Sequence, residues 1–497
     1  MNLNAKHILV AAMTALLSFK AQAARQLNVL FIYCDDLNTD LGIYGNPQVK
    51  SPNIDQLASQ GVRFSNAFSA WPSCAPSRVS LLSGWNCPKF GVKDIHVKSR
   101  DGGLKDALYL PQWFKTNGYT TVRIDKVFHP SADDPACWNF SEEPIQLTGG
   151  HMLVNWLGIE VQTLGLDGVH KVWLGEKDGY GNPTLEQGRF EKVRGEQGIY
   201  YIMHDSIPED MLFDGNTAAR GKMYLEKFAK SKEPFYLALG FRRPHMPFIA
   251  EKRYFDLYPW ENIQLPPKQP GYKRPFSDED QKKLIRGYYA AISFVDEQVG
   301  KVLKTLQETG LAENTLIVLI GDNGYALGER DGLFGKGELW DSNLKVSCII
   351  VPPNQAKKSL QVDSVVSLTD LYPTIVDLAG LKRPGIQLEG QSMVQLLNGD
   401  SSGWRNTAVS HVYKSGWPFA GGAIRTDRWR YIENGDGSVE LFDVKKDPWD
   451  WNNLANDPAY AGVVKELSAQ VAESFKTAMK NDPIYTRTVN AGGSKQP

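Results

Sequence analysis

The sequence predicts an α/β protein, with a large, mostly parallel central sheet flanked by helices. A small subdomain follows, with an antiparallel sheet and a helix. Three observations carry this prediction. Four apolar runs of strand length recur across residues 24–400, separated by helical patterns, which is the mark of strands buried on both faces and paired in parallel. Each run ends in polar or charged residues, and open α/β sheets bind ligands beyond the carboxyl ends of their strands. Residues 401–497 then change character, to short strand-like runs, a tight turn and a closing helical stretch.

The elements follow in chain order. Lys6 and His7, the apolar run Ile8 to Leu17 and Ala21-Gln22-Ala23 read as a secretory signal over residues 1–23. No cysteine follows the cleavage site, so the expectation is an exported protein, most simply periplasmic, without a lipid anchor. Val29 to Tyr33 forms the first strand and ends at Cys34-Asp35-Asp36. The second, Tyr119 to Ile124, ends at Asp125-Lys126-Val127-Phe128-His129, and the third, Phe235 to Leu239, leads into Arg242-Arg243-Pro244-His245. The fourth, Leu316 to Ile320, ends at Gly321-Asp322-Asn323-Gly324. Tyr288 to Thr309 is helical by the spacing of Ile292, Val295, Val299, Val302, Leu303 and Leu306, and Gly310 stops it. Residues 131–215 lack a period and read as a loop-rich insertion for substrate recognition. In the tail unit, Ala423 to Asn434 and Val439 to Phe442 are strand-like around the turn Gly435-Asp436-Gly437, and Ala459 to Met479 is helical.

Composition narrows the function. The 497 residues carry 55 basic and 56 acidic side chains, a net charge of -1, which argues against a general nucleic-acid binder. The longest apolar run is too short to span a bilayer. Five scattered cysteines make no disulfide scaffold, although Cys87 and Cys137 are candidate partners for one bridge.

Asp35, Asp36, Asp322 and Asn323 offer only oxygen ligands at strand ends, a shell suited to hard cations such as Ca²⁺ or Mg²⁺. Alone, each pair is equally an N-cap or a turn. Ser73 to Gly84 reads as a loop followed by a helix, with Pro76 in the first turn. Cys74 sits at the positive end of that helix with Arg78 about one turn on, and both features favour an anion at position 74. A buried structural cysteine is the competing reading. A thiolate beside an oxygen-only cation site is also a poor pairing of soft ligand with hard metal.

Cys74-Ala75-Pro76-Ser77-Arg78 resembles the C-x-P-S-R signature of type I, formylglycine-dependent sulfatases. The resemblance extends over residues 27 to about 395, through Val29 to Asp36, Pro52 to Ala58, Gly118 to Pro130, Arg243 to Phe248, Gly321 to Gly324 and Gly335-Lys336-Gly337. Two of these segments, Gly118 to Pro130 and Arg243 to Phe248, are similar to the iduronate-2-sulfatase branch. The resemblance implies an alkaline-phosphatase-like sandwich and a sulfuric ester hydrolase. It implies that a maturation enzyme converts Cys74 to formylglycine, whose hydrate is the nucleophile. Asp35, Asp36, Asp322, Asn323 and the residue at 74 would hold calcium. Arg78 would hold the nucleophile, with Lys126 and His129 on either side of it and His129 removing a proton. His245 and Lys336 would bind the sulfate. One departure is Asn323, where the iduronate branch has His; its carboxamide oxygen still suits calcium, but the iduronate substrate becomes less secure.

Several residues stand outside these motifs. Arg242 and Arg243 are candidates for binding a second sulfate or a carboxylate of the substrate by bidentate pairing, or else are plain surface charges. Trp138, Trp156 and Trp173 in the insertion are candidate sugar platforms, and His151, His170 and His204 candidate substrate contacts. The resulting expectation is an exported carbohydrate sulfatase acting on an algal galactan, ulvan or glycosaminoglycan. A phosphonate monoester or phosphodiester hydrolase of the same superfamily is the alternative, and a non-catalytic binding protein the third reading.

Overall fold

The computed structural model describes residues 26–94, 96–142, 209–246, 248–271, 277–353, 359–477 and 484–485, with the backbone of 172–177, 183–186 and 201–204. The expected signal at 1–23, most of the insertion, and the side chains of His151, Trp156, His170, Trp173 and His204 lie outside the described residues.

A nine-stranded sheet organises the chain. Its strands are β1 (Asn28–Cys34), β2 (Val62–Phe68), β3 (Thr120–Asp125), β4 (Phe140–Glu142), β5 (Phe235–Phe241), β6 (Thr315–Gly321), β7 (Lys345–Val346), β8 (Cys348–Val351) and β9 (Leu360–Ser367). The order is β7-β2-β8-β6-β1-β5-β3-β4, with β9 also on β2. The block β6-β1-β5-β3-β4 is parallel, as the apolar runs predict. Beyond β6 the sheet turns mixed, because β8 pairs antiparallel with both β6 and β2.

The sheet separates two apolar cores, and alternation along β1 shows why. Leu30, Ile32 and Cys34 face one core, whereas Val29, Phe31 and Tyr33 face the other. All six are fully buried, as expected for a strand covered on both faces. The helix α1 (Asp278–Glu308) covers the first core and starts ten residues before the spacing predicts. Ser277 caps it, accepting from the Asp280 N–H at 3.0 Å, and three acids in the first turn complement the helix dipole.

The tail unit is a four-stranded antiparallel sheet closed by a helix at Ala461–Ser474. The run Ala423 to Asn434 resolves into two strands, Gly421–Thr426 and Trp429–Glu433. Edge strand β4 lies inside 131–215, so the start of that span belongs to the central sheet. Trp138 is there too, buried against Phe128 and Tyr236. It packs the core and is no sugar platform. Cys87 and Cys137 are separate buried thiols, so the candidate bridge is not formed.

Candidate active site

Four adjacent parallel strands, β6-β1-β5-β3, deliver their carboxyl ends to one place. The parallel register sets Cys34 of β1 opposite Gly321 of β6, so the aspartates that follow each strand meet. Two glycines permit the tight approach of the loops. A Cβ on Gly321 would lie 1.9 Å from the Leu37 carbonyl oxygen, and one on Gly240 would lie 2.1 Å from the Lys126 carbonyl carbon.

Asp35, Asp36, Asp322 and Asn323 are all essentially inaccessible. Asp322 Oδ1 accepts from the backbone N–H groups of Asp36 (3.0 Å) and Asn323 (2.9 Å). Asn323 Nδ2 donates to Asp36 Oδ1 at 2.7 Å, which leaves its Oδ1 without a hydrogen-bond partner; Asp35 Oδ1 is likewise unpartnered. Buried oxygens of this kind are costly unless something positive satisfies them.

Cys74 opens the helix Cys74–Ser83 and is 5% exposed. Ligand atoms of Asp35, Cys74 and Asp322 lie within 4.8 Å of one another, as do those of Asp35, Asp36 and His245. Arg78, one turn into the helix, donates through Nε to Asp322 Oδ2 at 2.6 Å and places Nη2 3.7 Å from Asp35 Oδ1. Its Nη1 donates to the carbonyls of Lys126 and Val127. Lys126 contacts Asp35, and Lys336 contacts Asp36. His245 Nε2 stands 3.9 Å from Asp36 Oδ2, and its Nδ1 is held by the Met246 carbonyl. His129 pairs Nδ1 with the Ser131 hydroxyl at 2.8 Å.

Burial and charge act against each other here. Burial alone would raise Asp35, yet Lys126, His245, Arg78 and Lys336 together hold it well below the usual carboxylate range. Burial wins at Asp36 and Asp322, which are raised despite Lys336 and Arg78. Burial also pushes the Cys74 thiol up, although Lys336 and Lys126 pull the other way. The helix terminus and Arg78 therefore do not yield a thiolate. His129 is lowered to about 4 and His245 to about 3, mainly by burial. An all-oxygen donor set with two unpartnered acceptors, beside two carboxylates that burial leaves reluctant to ionise, fits a hard divalent cation.

Arg242 and Arg243 require a correction. Arg242 is 8% exposed and grips Asp125 with Nε at 2.8 and 2.9 Å and Nη2 at 2.7 Å. Its guanidinium also lies 4.1 Å from the Phe213 ring centroid. Arg243 is buried, 3.7 Å from Asp214, and donates to the His245 carbonyl. Both cations are committed to internal partners and buttress the loop that carries His245. Sequence reasoning also passed over Tyr288, whose hydroxyl donates to the Asp36 carbonyl (2.7 Å) and accepts from the Asn38 N–H (3.1 Å). Its only sequence signal was a polar tip on an apolar helix face.

The sulfatase family profile matches residues 27–381, and that of the N-sulphoglucosamine sulphohydrolase C-terminal domain matches 328–477. A sulfatase of Formosa agariphila is 32% identical over 90% of this chain and 87% of its own. The iduronate 2-sulfatase of Mus musculus is 32% identical over 73% of this chain and 70% of its own. A structure solved with its substrate D-glucosamine-2-N,6-O-disulfate superposes with a TM-score of 0.71 at 21% identity, covering 93% of this chain and all of that one. The chain belongs to the sulfatase family and is a sulfuric ester hydrolase.

Proposed function

We propose that this sulfatase is exported and acts on the sulfate esters of a sulfated polysaccharide or its oligosaccharides, of algal galactan, ulvan or glycosaminoglycan type. The observation that carries the reading is the buried oxygen cage of Asp35, Asp36, Asp322 and Asn323 closing on position 74. The names of two relatives add to it, since one acts on iduronate and another was solved with a disulfated glucosamine. Among the described residues no helix is long and apolar enough to cross a membrane, and the segment 1–23 reads as an export signal.

In this reading a maturation enzyme converts Cys74 to formylglycine, and the hydrated aldehyde supplies an oxygen nucleophile. Asp35, Asp36, Asp322, Asn323 and position 74 would hold calcium, which when bound would offset the charge of the sulfate group. Arg78 orients position 74 and links it to Asp322 and Asp35. His129, unprotonated at neutral pH because burial and Lys126 hold it low, accepts a proton beside the nucleophile. Lys126, Lys336 and His245 line the sulfate pocket, and Lys336 stabilises charge developing on the leaving oxygen.

The test is free sulfate released from a panel of defined sulfated oligosaccharides, set against turnover of a phosphate diester. Sulfate release from at least one saccharide supports the reading. A higher kcat/KM for the diester assigns the phosphoryl alternative, and release only from aryl sulfates removes the carbohydrate.

A further inference from the structure

A second cleft, of about 290 Å³, opens where the catalytic domain meets the tail unit. Its lining includes Tyr325, Arg330, Trp340, Trp449 and Asp450. Tyr325 follows Asp322 by three residues and Trp340 follows Lys336 by four, so the cleft borders the catalytic loops without containing them.

The lining has two chemistries. Trp449 is 37% exposed, unusual for so large an apolar side chain. It stacks on Trp451 with ring centroids 6.1 Å apart and planes 21° apart, and Trp451 is anchored by its indole N–H to the Glu329 carbonyl at 3.0 Å. The exposed indole is therefore a fixed platform. Beside it, Asp450 is 2% exposed and its Oδ1 has no hydrogen-bond partner, while its Oδ2 receives the Asp341 N–H at 3.3 Å. Arg330 is clamped between the Trp340 ring (4.1 Å) and the Phe442 ring (4.8 Å) and bonds Glu440 through Nη2. Its Nε and Nη1 are buried and unpartnered.

An inorganic anion would pair with Arg330 but meet Asp40, Glu329 and Asp341 in the same lining, and a metal ion would meet Arg330 and Lys345. A purely apolar ligand would leave all three polar atoms without a partner. A pyranose ring meets every requirement: one C–H face for the indole, and adjacent hydroxyls that donate to Asp450 and accept from Arg330. We propose that this cleft is a remote saccharide subsite, which holds a non-reacting sugar ring of the same chain whose sulfate lies over position 74. The proposal rests on the carbohydrate reading above.

The experiment uses the full-length, matured, calcium-loaded enzyme and two variants, Trp449→Ala and Asp450→Asn. Asn tolerates the left-handed backbone of position 450 (φ +56°), and Trp449 lies at the surface, outside the buried core. The probes are p-nitrophenyl sulfate and sulfated galactan, ulvan and glycosaminoglycan tetrasaccharides. On the tetrasaccharide that the wild type hydrolyses, each variant should raise KM about tenfold with kcat preserved, the pattern of lost uniform binding. Turnover of p-nitrophenyl sulfate should stay within about twofold. An unchanged tetrasaccharide KM, or an equal loss on both probes, overturns the subsite alone. Turnover of p-nitrophenyl sulfate with none of the tetrasaccharides overturns the carbohydrate reading and the subsite with it.

Discussion

Arg242→Ala separates the two roles open to this residue. Its guanidinium makes three bonds of 2.7–2.9 Å to Asp125, whose side chain is 2% exposed against 9% for the arginine. Removing one partner of a buried ion pair strands the other charge, at about 3–5 kcal/mol. Loss of the contact with the Phe213 ring adds about 0.5–2 kcal/mol. The variant should therefore lose about 4 kcal/mol, close to a thousandfold in the folded-to-unfolded ratio. Urea unfolding followed by tryptophan fluorescence would read this. Pairing it with Asp125→Asn in a double-mutant cycle should show coupling of about 2 kcal/mol or more. A substrate-binding Arg242 behaves otherwise. Stability within about 0.5 kcal/mol of wild type, with a raised KM for sulfated saccharides, would refute the structural assignment and restore the sequence reading.

Other outcomes follow from the same geometry. The tryptic peptide Phe64 to Arg78 from protein made in its native host should show loss of the thiol and gain of an aldehyde at position 74; an intact thiol removes the proposed nucleophile. Chelation should lower activity at least about tenfold and added Ca²⁺ should restore it; full activity in protein shown metal-free by elemental analysis contradicts the cage. His129 is held at about 4, chiefly by burial and by Lys126, and a base acts only when unprotonated. Activity should therefore stay level as pH falls from 7 to about 5 and drop below that, whereas an acid limb near the ordinary histidine value excludes this role. Tyr288→Phe, which frees the Asp36–Asn38 turn, should weaken calcium affinity about 10–100-fold by titration; unchanged affinity shows the hydroxyl is dispensable.

The sequence announced whatever was encoded locally. β1, β3, β5 and β6 were legible because a strand buried on both faces must be apolar throughout, and their polar ends marked the site. The antiparallel strand β8 was not, because Cys348 to Val351 is too short and too near the preceding loop to stand out. The start of α1 was hidden by its charged first turns, whose apolar stripe is sparse until Leu284. Arg242 and Arg243 were misread for a different reason. Their partners lie 117 and 29 residues away, on another strand end and on a helix. Only the folded sheet brings Asp125 and Asp214 under the pair, so no local pattern distinguishes these arginines from free surface charges. Trp138 is similar, because its burial depends on β4 closing the sheet edge.

Position 74 shows how packing can decide chemistry. A helix N-terminus and a nearby arginine are the usual means of lowering a thiol pKa, and both are present. Arg78, however, is spent on Asp322 and Asp35, so its charge is largely neutralised before it reaches the sulfur. Burial then raises the thiol, and the carboxylates of Asp35 and Asp322 oppose its ionisation further. The groups that suit a hard cation are thus the groups that make a thiolate unfavourable. Sulfur is also a weak ligand for such a cation, so a native cysteine would serve neither as nucleophile nor as metal ligand. An oxygen at the same place would suit both roles in the proposed mechanism. The unmodified thiol is accordingly at odds with its surroundings, which is the physical argument for the proposed conversion.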